Sequence, residues 1–126
     1  MSQDPLNLIE DQKPYKIFSI YFAGGRYYID HDQKQKAVEF LNSHILDNYE
    51  IHIHSHTDNI GSVDYNNWLS RMRSMSTKYM LEQEGIPMEN IYIQDHSLFD
   101  PEFDNESFQG RLKNRRVDIV LWPLPA

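Results

Sequence analysis

The segment that most constrains this chain begins at Glu50. From Glu50 to His56 the residues alternate strictly, with Ile51, Ile53 and Ser55 on one side and His52, His54 and His56 on the other. That period of two is the signature of a half-buried strand. The strand runs directly into Thr57-Asp58-Asn59-Ile60-Gly61. From about Ser62 to Glu84 the period changes: Tyr65, Trp68, Leu69, Met72, Met75, Tyr79 and Met80 recur at the i, i+3, i+4, i+7 spacing of an amphipathic helix, which predicts them as its buried stripe. Gly85, with Pro87 beyond it, supplies the stop. A strand feeding a long helix through a short polar turn buries both apolar surfaces only if the helix lies back on the sheet, so the core is sheet against helix.

The remaining elements fit around that unit. Lys16 to Phe22 is aromatic and β-branched and ends at Gly24-Gly25, which reads as a first strand and a turn. Asp30 with Gln33 is a capping pair for a helix over His31 to Asp47, in which Ala37, Val38, Leu41 and Ile45 keep helical spacing. Asn90 to Gln94 and Val117 to Leu121 read as a third and a fourth strand. The polar loop between them is long enough to require a helical turn, placed near Phe108 to Leu112. The order β-α-β-α-β-β predicts an α/β (α+β) two-layer sandwich with the helices packed on one face of a small mixed sheet. With 126 residues there is room for one domain, assigned to 15–126 behind a polar leader or linker over 1–14 that carries two prolines.

Charge and composition remove several functions. Twelve Lys+Arg against nineteen Asp+Glu give a net charge of −7, which repels phosphate backbones, so no nucleic-acid partner is expected. The absence of cysteine removes disulfides, thiolate zinc sites and a cysteine nucleophile. No stretch approaches the ~18 apolar residues of a membrane span, and the first residues do not read as an export signal. No membrane insertion by this domain is expected, and any export signal or anchor is expected outside this chain.

The candidate chemistry lies where the second strand meets the long helix. Asn66, Ser70, Arg73 and Thr77 are spaced i, i+4, i+7, i+11 and so share one side of the helix, while Asp58 stands at the strand exit near the helix start, where the helix dipole favours an anion. The pattern predicts a carboxylate and a guanidinium facing one cleft. A zwitterionic amino-acid head group needs that pair: the carboxylate takes the ammonium, and the guanidinium takes the carboxylate as a bidentate fork. Such charge-assisted bonds contribute ~1.5 to 3 kcal/mol each at best.

Thr57-Asp58-Asn59-Ile60-Gly61-Ser62, Tyr65-Asn66, Leu69-Ser70, Arg71-Met72-Arg73, Gly85-Ile86-Pro87 and Asn114-Arg115-Arg116-Val117-Asp118-Ile119 closely resemble, in order and spacing, the T-D-x-x-G, N-x-x-L-S-x-x-R, G-I-P and N-R-R-V-x-I signature of the OmpA-like (OmpA/Pal/MotB C-terminal) peptidoglycan-binding family. The resemblance covers roughly Ile17 to Val120. It implies noncovalent binding of peptidoglycan through the head group of meso-diaminopimelate in the stem peptide, in the periplasm or on the periplasmic side of a Gram-negative outer membrane. It also implies that Asp58 and Arg73 are the paired contacts, that Thr57 and Asn66 support them, and that Arg115 or Arg116 lies near the ligand carboxylate; strand alternation lets only one of those two face the cleft. Two departures stand out. Asp95 and Ser97 occupy positions where the family usually has glycines, ahead of Pro101, and Gly24-Gly25 replaces a polar residue often found after the first strand.

Other clusters have plainer readings. His52, His54 and His56 could together hold zinc or copper, but a solvated outer sheet face is preferred because no carboxylate that would orient the rings can be assigned. A pH-responsive patch is a weaker reading of the same three imidazoles. Asp100, Glu102, Asp104 and Glu106 lack the glycine and terminal glutamate of a calcium loop and read as a solvated acidic loop. No cofactor is called for. No G-x-S-x-G or H-E-x-x-H is present, so an enzyme is not expected. The alternative to wall binding is a protein-interaction or homodimerisation module that keeps the fold.

Overall fold

The computed structural model describes residues 15–125; the leader assigned to 1–14 lies outside the described residues. Four strands, β1 (Lys16–Tyr21), β2 (Tyr49–His56), β3 (Ile91–Ser97) and β4 (Arg116–Pro123), form one sheet in the order β1-β4-β2-β3. β4 runs antiparallel to both β1 and β2, and β3 is parallel to β2, so the sheet is mixed as expected. Helix α1 (His31–Asn42) packs on β1, and α2 (Val63–Gln83) packs on β2 and β3. A third helix, α3 (Phe108–Asn114), falls where the long loop was expected to turn helical and delivers the chain to β4.

Local chemistry sets the boundaries. Asp30 caps α1 by accepting from Gln33 N at 2.9 Å, and Gln33 exchanges bonds of 2.6 and 2.7 Å with the main chain of Tyr21, fastening the helix start to the end of β1. α1 ends at Asn42 rather than Asp47, because Ser43 N closes on Glu39 O and Phe40 O; a 3-10 turn at Leu46–Asn48 follows, and Ile45 is exposed. Ser62 caps α2 through Tyr65 N, and Gly85, at φ +87, ends it with Ile86 N donating to Leu81 O. β3 continues to Ser97, three residues past its expected end, because β2 offers partners as far as His56.

The apolar core lies between sheet and helices: Ile20, Ile51, Ile53, Val117, Ile119 and Leu121 from the strands meet Ala37, Leu41, Met80 and Leu81. The alternation read in β2 therefore holds, with Ile51, Ile53 and Ser55 facing the helices. The amphipathic reading of α2 holds only for Leu69 and Met80, which are buried as expected. Its buried side is Asn66, Leu69, Ser70, Arg73, Ser74, Thr77, Met80 and Leu81, whereas Tyr65, Trp68, Met75 and Tyr79 are exposed. A polar stripe is buried without large penalty only when its groups find partners, and these do except for Asn66 Oδ1, which is buried without one. Ser70 Oγ lies 2.5 Å from Ser55 Oγ and accepts from Ser97 N at 3.1 Å. Ser74 donates to Asp95, which also accepts from Ser55 at 3.0 Å. Thr77 Oγ1 bonds back to Arg73 O at 2.9 Å.

Candidate functional site

Past the end of β2, Thr57 N donates to Ser97 O at 2.8 Å and Thr57 Oγ1 to Asp58 O at 2.9 Å, which fixes the chain as it leaves the sheet. Asp58 is buried. Its Oδ1 accepts from Ile60 N at 3.0 Å, closing an Asx turn, and its Oδ2 lies 3.3 Å from Arg115 Nη1. The turn needs glycine at position 61: φ there is +97, and a Cβ would stand 3.1 Å from the Tyr65 ring. Arg115 follows α3 directly and is tied to the end of β1, donating from Nε to Phe22 O at 3.1 Å while Phe22 N donates to Arg115 O at 2.9 Å. Arg115, though not Asp58, lines a groove of about 490 Å³ together with Tyr21, Phe22, Ala23, Leu112 and Lys113.

Arg73 departs from the expectation of a guanidinium presented to a cleft. It is 0% exposed, and its fork is engaged: Nε donates to Arg26 O at 2.9 Å, Nη1 to His56 O at 3.1 Å and Nη2 to Ala23 O at 3.3 Å. Its plane also lies 5.1 Å from the Phe22 ring centroid. Burial pulls its pKa down to about 10, Asp58 opposes that shift, and Arg115 adds to it. Asp58 therefore feels two guanidinium groups, Arg115 in contact and Arg73 behind, and Arg73 binds the post-β1 segment to the exit of β2.

Asn66 is likewise buried and holds the turn, donating from Nδ2 to Ile60 O at 2.9 Å and Ser62 O at 3.1 Å. Of the two adjacent arginines, Arg115 faces Asp58. Arg116 lies on the opposite sheet face, bonded to Asp118 at 3.1 Å and Glu102 at 2.6 Å, with the Phe103 ring 5.2 Å away.

That outer face is not simply solvated. Arg116, Asp118 and His56 are buried on it. The imidazoles do not converge as metal ligands: His52 stacks on Tyr92 at 5.0 Å, His54 Nδ1 is 2.9 Å from His96 Nε2, and His56 stacks on His96 at 4.6 Å. Among the described residues no group of three His, Cys, Asp or Glu is arranged to hold a metal ion. Burial, Arg116 and His96 push the His56 pKa down to about 4 against the pull of Asp118, and burial with His96 lowers that of His54. His96 was not legible as a member of this group, since only the parallel register of β2 with β3 brings it there.

Residues 21–115, spanning β1's end, the Asp58 turn, α2 and the α3 junction, match the OmpA family. The chain belongs to the OmpA family. Within it, the outer-membrane lipoprotein YfiB of Pseudomonas aeruginosa is 35% identical over 72 residues, covering 57% of this chain and 43% of that protein. This OmpA-family chain thus spans less than half the length of the curated relatives it matches. Two solved structures share the fold. The peptidoglycan-associated lipoprotein from Burkholderia pseudomallei has a TM-score of 0.66 at 23% identity, covering 82% of this chain and 88% of its own. The cell wall anchor of the T6SS from Pseudomonas aeruginosa has a TM-score of 0.71 at 19% identity, covering 94% of both chains.

Proposed function

We propose that this OmpA-family domain binds peptidoglycan noncovalently, gripping the zwitterionic head group of diaminopimelate in the stem peptide and so anchoring an envelope protein to the wall on the periplasmic side. The observation that carries the reading is the Asp58–Arg115 contact of 3.3 Å, whose arginine also lines an open groove. The Asp58 carboxylate takes the ligand ammonium and the Arg115 guanidinium takes the ligand carboxylate, each bond charge-assisted. Arg73 acts one layer back, positioning the main chain of Ala23, Arg26 and His56 around the site. Thr57 and Asn66 hold the turn that aims Asp58. The wall association named for the lipoprotein and the secretion-system anchor supports extending the same role to this chain.

Titration of the domain with meso-diaminopimelate and with a purified muropeptide, followed by NMR and calorimetry, tests the proposal. Saturable shifts centred on Asp58 and Arg115 are expected, with binding lost in Asp58→Ala and weakened in Arg115→Ala. Unaltered binding by Asp58→Ala overturns it.

A further inference from the structure

A second groove, of about 400 Å³, lies between α2 and the end of β3 and is lined by Asp64, Asn67, Trp68, Arg71, Asp95 and Ser97. Positions 64, 67, 68 and 71 fall on a single stripe of the helix, and β3 supplies the facing wall. None of these side chains takes part in the Asp58–Arg115 contact described above. The side chains of Asp64, Asn67 and Arg71 are exposed and make no hydrogen bond or ion pair among the described residues. Asp95 engages Oδ1 with Ser55 and Ser74, which leaves Oδ2 to a ligand. Ser97 is 3% exposed, and its hydroxyl has no partner.

Trp68 supplies the other half of the chemistry. It is 40% exposed, yet Tyr27 packs edge-on against it at 5.7 Å and Tyr65 lies 6.0 Å away, so its ring is held in place beside the groove. The lining combines one flat apolar surface with planar acceptors (Asp64, Asp95), an amide that both donates and accepts (Asn67) and a donor fork (Arg71). Two carboxylates against one guanidinium disfavour a polyanion. A pyranose ring is complementary to this lining: its C–H face lies on the indole, and its hydroxyls and N-acetyl group meet acceptors and donors along the edge.

We infer that this groove is a subsite for an N-acetylated amino sugar of the wall glycan, adjoining the stem-peptide site; the inference rests on the peptidoglycan reading above. The groove is linked to the Asp58 turn through the main chain, because Thr57 N donates to Ser97 O and Asp58 is the next residue. Asp95 and Ser97 are also the two positions at which this chain departs from the glycines usual in the motif it resembles.

Three probes separate the two readings: N,N′-diacetylchitobiose, a sugar-free stem peptide ending in diaminopimelate, and the intact muropeptide, each titrated into wild type, Trp68→Ala, Asn67→Ala and Asp58→Ala and followed by ¹H–¹⁵N NMR. The disaccharide is expected to shift the Trp68 indole and Ser97 amide in wild type and in Asp58→Ala, but not in Trp68→Ala. Muropeptide affinity is expected to fall roughly tenfold in Trp68→Ala and in Asn67→Ala, with sugar-free peptide binding unchanged. Asn67→Ala, at an exposed position, keeps the test valid if Trp68→Ala unfolds. Peptide binding lost in Asp58→Ala, together with no disaccharide shift and equal muropeptide affinity in wild type and both groove variants, overturns the glycan subsite and leaves the peptide site standing. Disaccharide binding with no peptide binding overturns the peptide site alone.

Discussion

Replacing Arg73 by lysine keeps the charge and removes the fork, and the cost follows from what the fork holds. Three main-chain carbonyls, those of Arg26, His56 and Ala23, accept from this one group. A lysine ammonium on a single stem satisfies one of them well, so two lose a charged donor. The His56 carbonyl is buried and lies beyond easy reach of water, whereas the other two are partly accessible. Losing a buried acceptor's partner costs about 1–3 kcal/mol and a solvated one less, so Arg73→Lys is expected to destabilise the domain by about 2–3 kcal/mol. For a domain of this size that lowers the thermal midpoint by roughly 8–15 °C. Circular dichroism melts of wild type and Arg73→Lys at pH 7 measure it, and the variant's amide spectrum should change along residues 22–27 before any ligand is added. A midpoint within about 2 °C of wild type would refute the assignment of Arg73 as the clasp between the post-β1 segment and β2.

The outer-face imidazoles make stability pH-dependent. Folding lowers the His56 pKa from its ordinary 6.5 to about 4, so the folded state binds fewer protons, and stability present above pH 6.5 is lost as pH falls toward 4. The shift corresponds to about 3 kcal/mol at most, nearer 2 after solvent screening; urea titrations at pH 7 and pH 4.5 should show the loss, and His56→Gln should reduce it. Ser97 holds a left-handed φ of 58, so Ser97→Gly is expected to raise stability by about 1 kcal/mol, read from the urea midpoint, while removing the hydroxyl from the second groove. Gly110→Ala would put a Cβ 1.7 Å from Asp104 O, a clash with main chain that should cost about 3 kcal/mol or more; an unshifted melting curve would contradict the packing of α3 on that loop.

The strands and the order of the elements were legible in the sequence because β2 and β4 alternate cleanly and the cap Asp30 and the stop Gly85 carry local signals. The direction in which α2 faces was not. Its apolar residues outnumber the polar ones at helical spacing, so periodicity favours burying Tyr65, Trp68, Met75 and Tyr79. The structure buries Asn66, Ser70, Arg73 and Thr77 instead. What decides between the two faces is pairing, and the partners are far away in the chain: Ser55 and Ser97 for Ser70, Asp95 for Ser74, Ala23 and Arg26 for Arg73. No window along the helix contains them. The same holds for the arginines after α3: alternation says that one of Arg115 and Arg116 faces Asp58, but only the helix exit, with Arg115 Nε on Phe22 O, determines which.

The contact between Asp58 and Arg115 also bears on how tight the proposed clamp can be. Without ligand the carboxylate already has the Ile60 amide on one oxygen and the Arg115 guanidinium on the other, so a ligand ammonium exchanges for an existing partner rather than filling a void. A zwitterion turns one internal ion pair into two intermolecular ones and conserves net charge, which limits both the gain in affinity and its dependence on salt. A ligand bearing only a carboxylate offers nothing to Asp58 and must compete with it for Arg115. On this reading the pair acts chiefly as a filter, admitting head groups that carry both charges. A firm hold on the wall then comes from many weak contacts along one polymer, with effective concentration multiplying each.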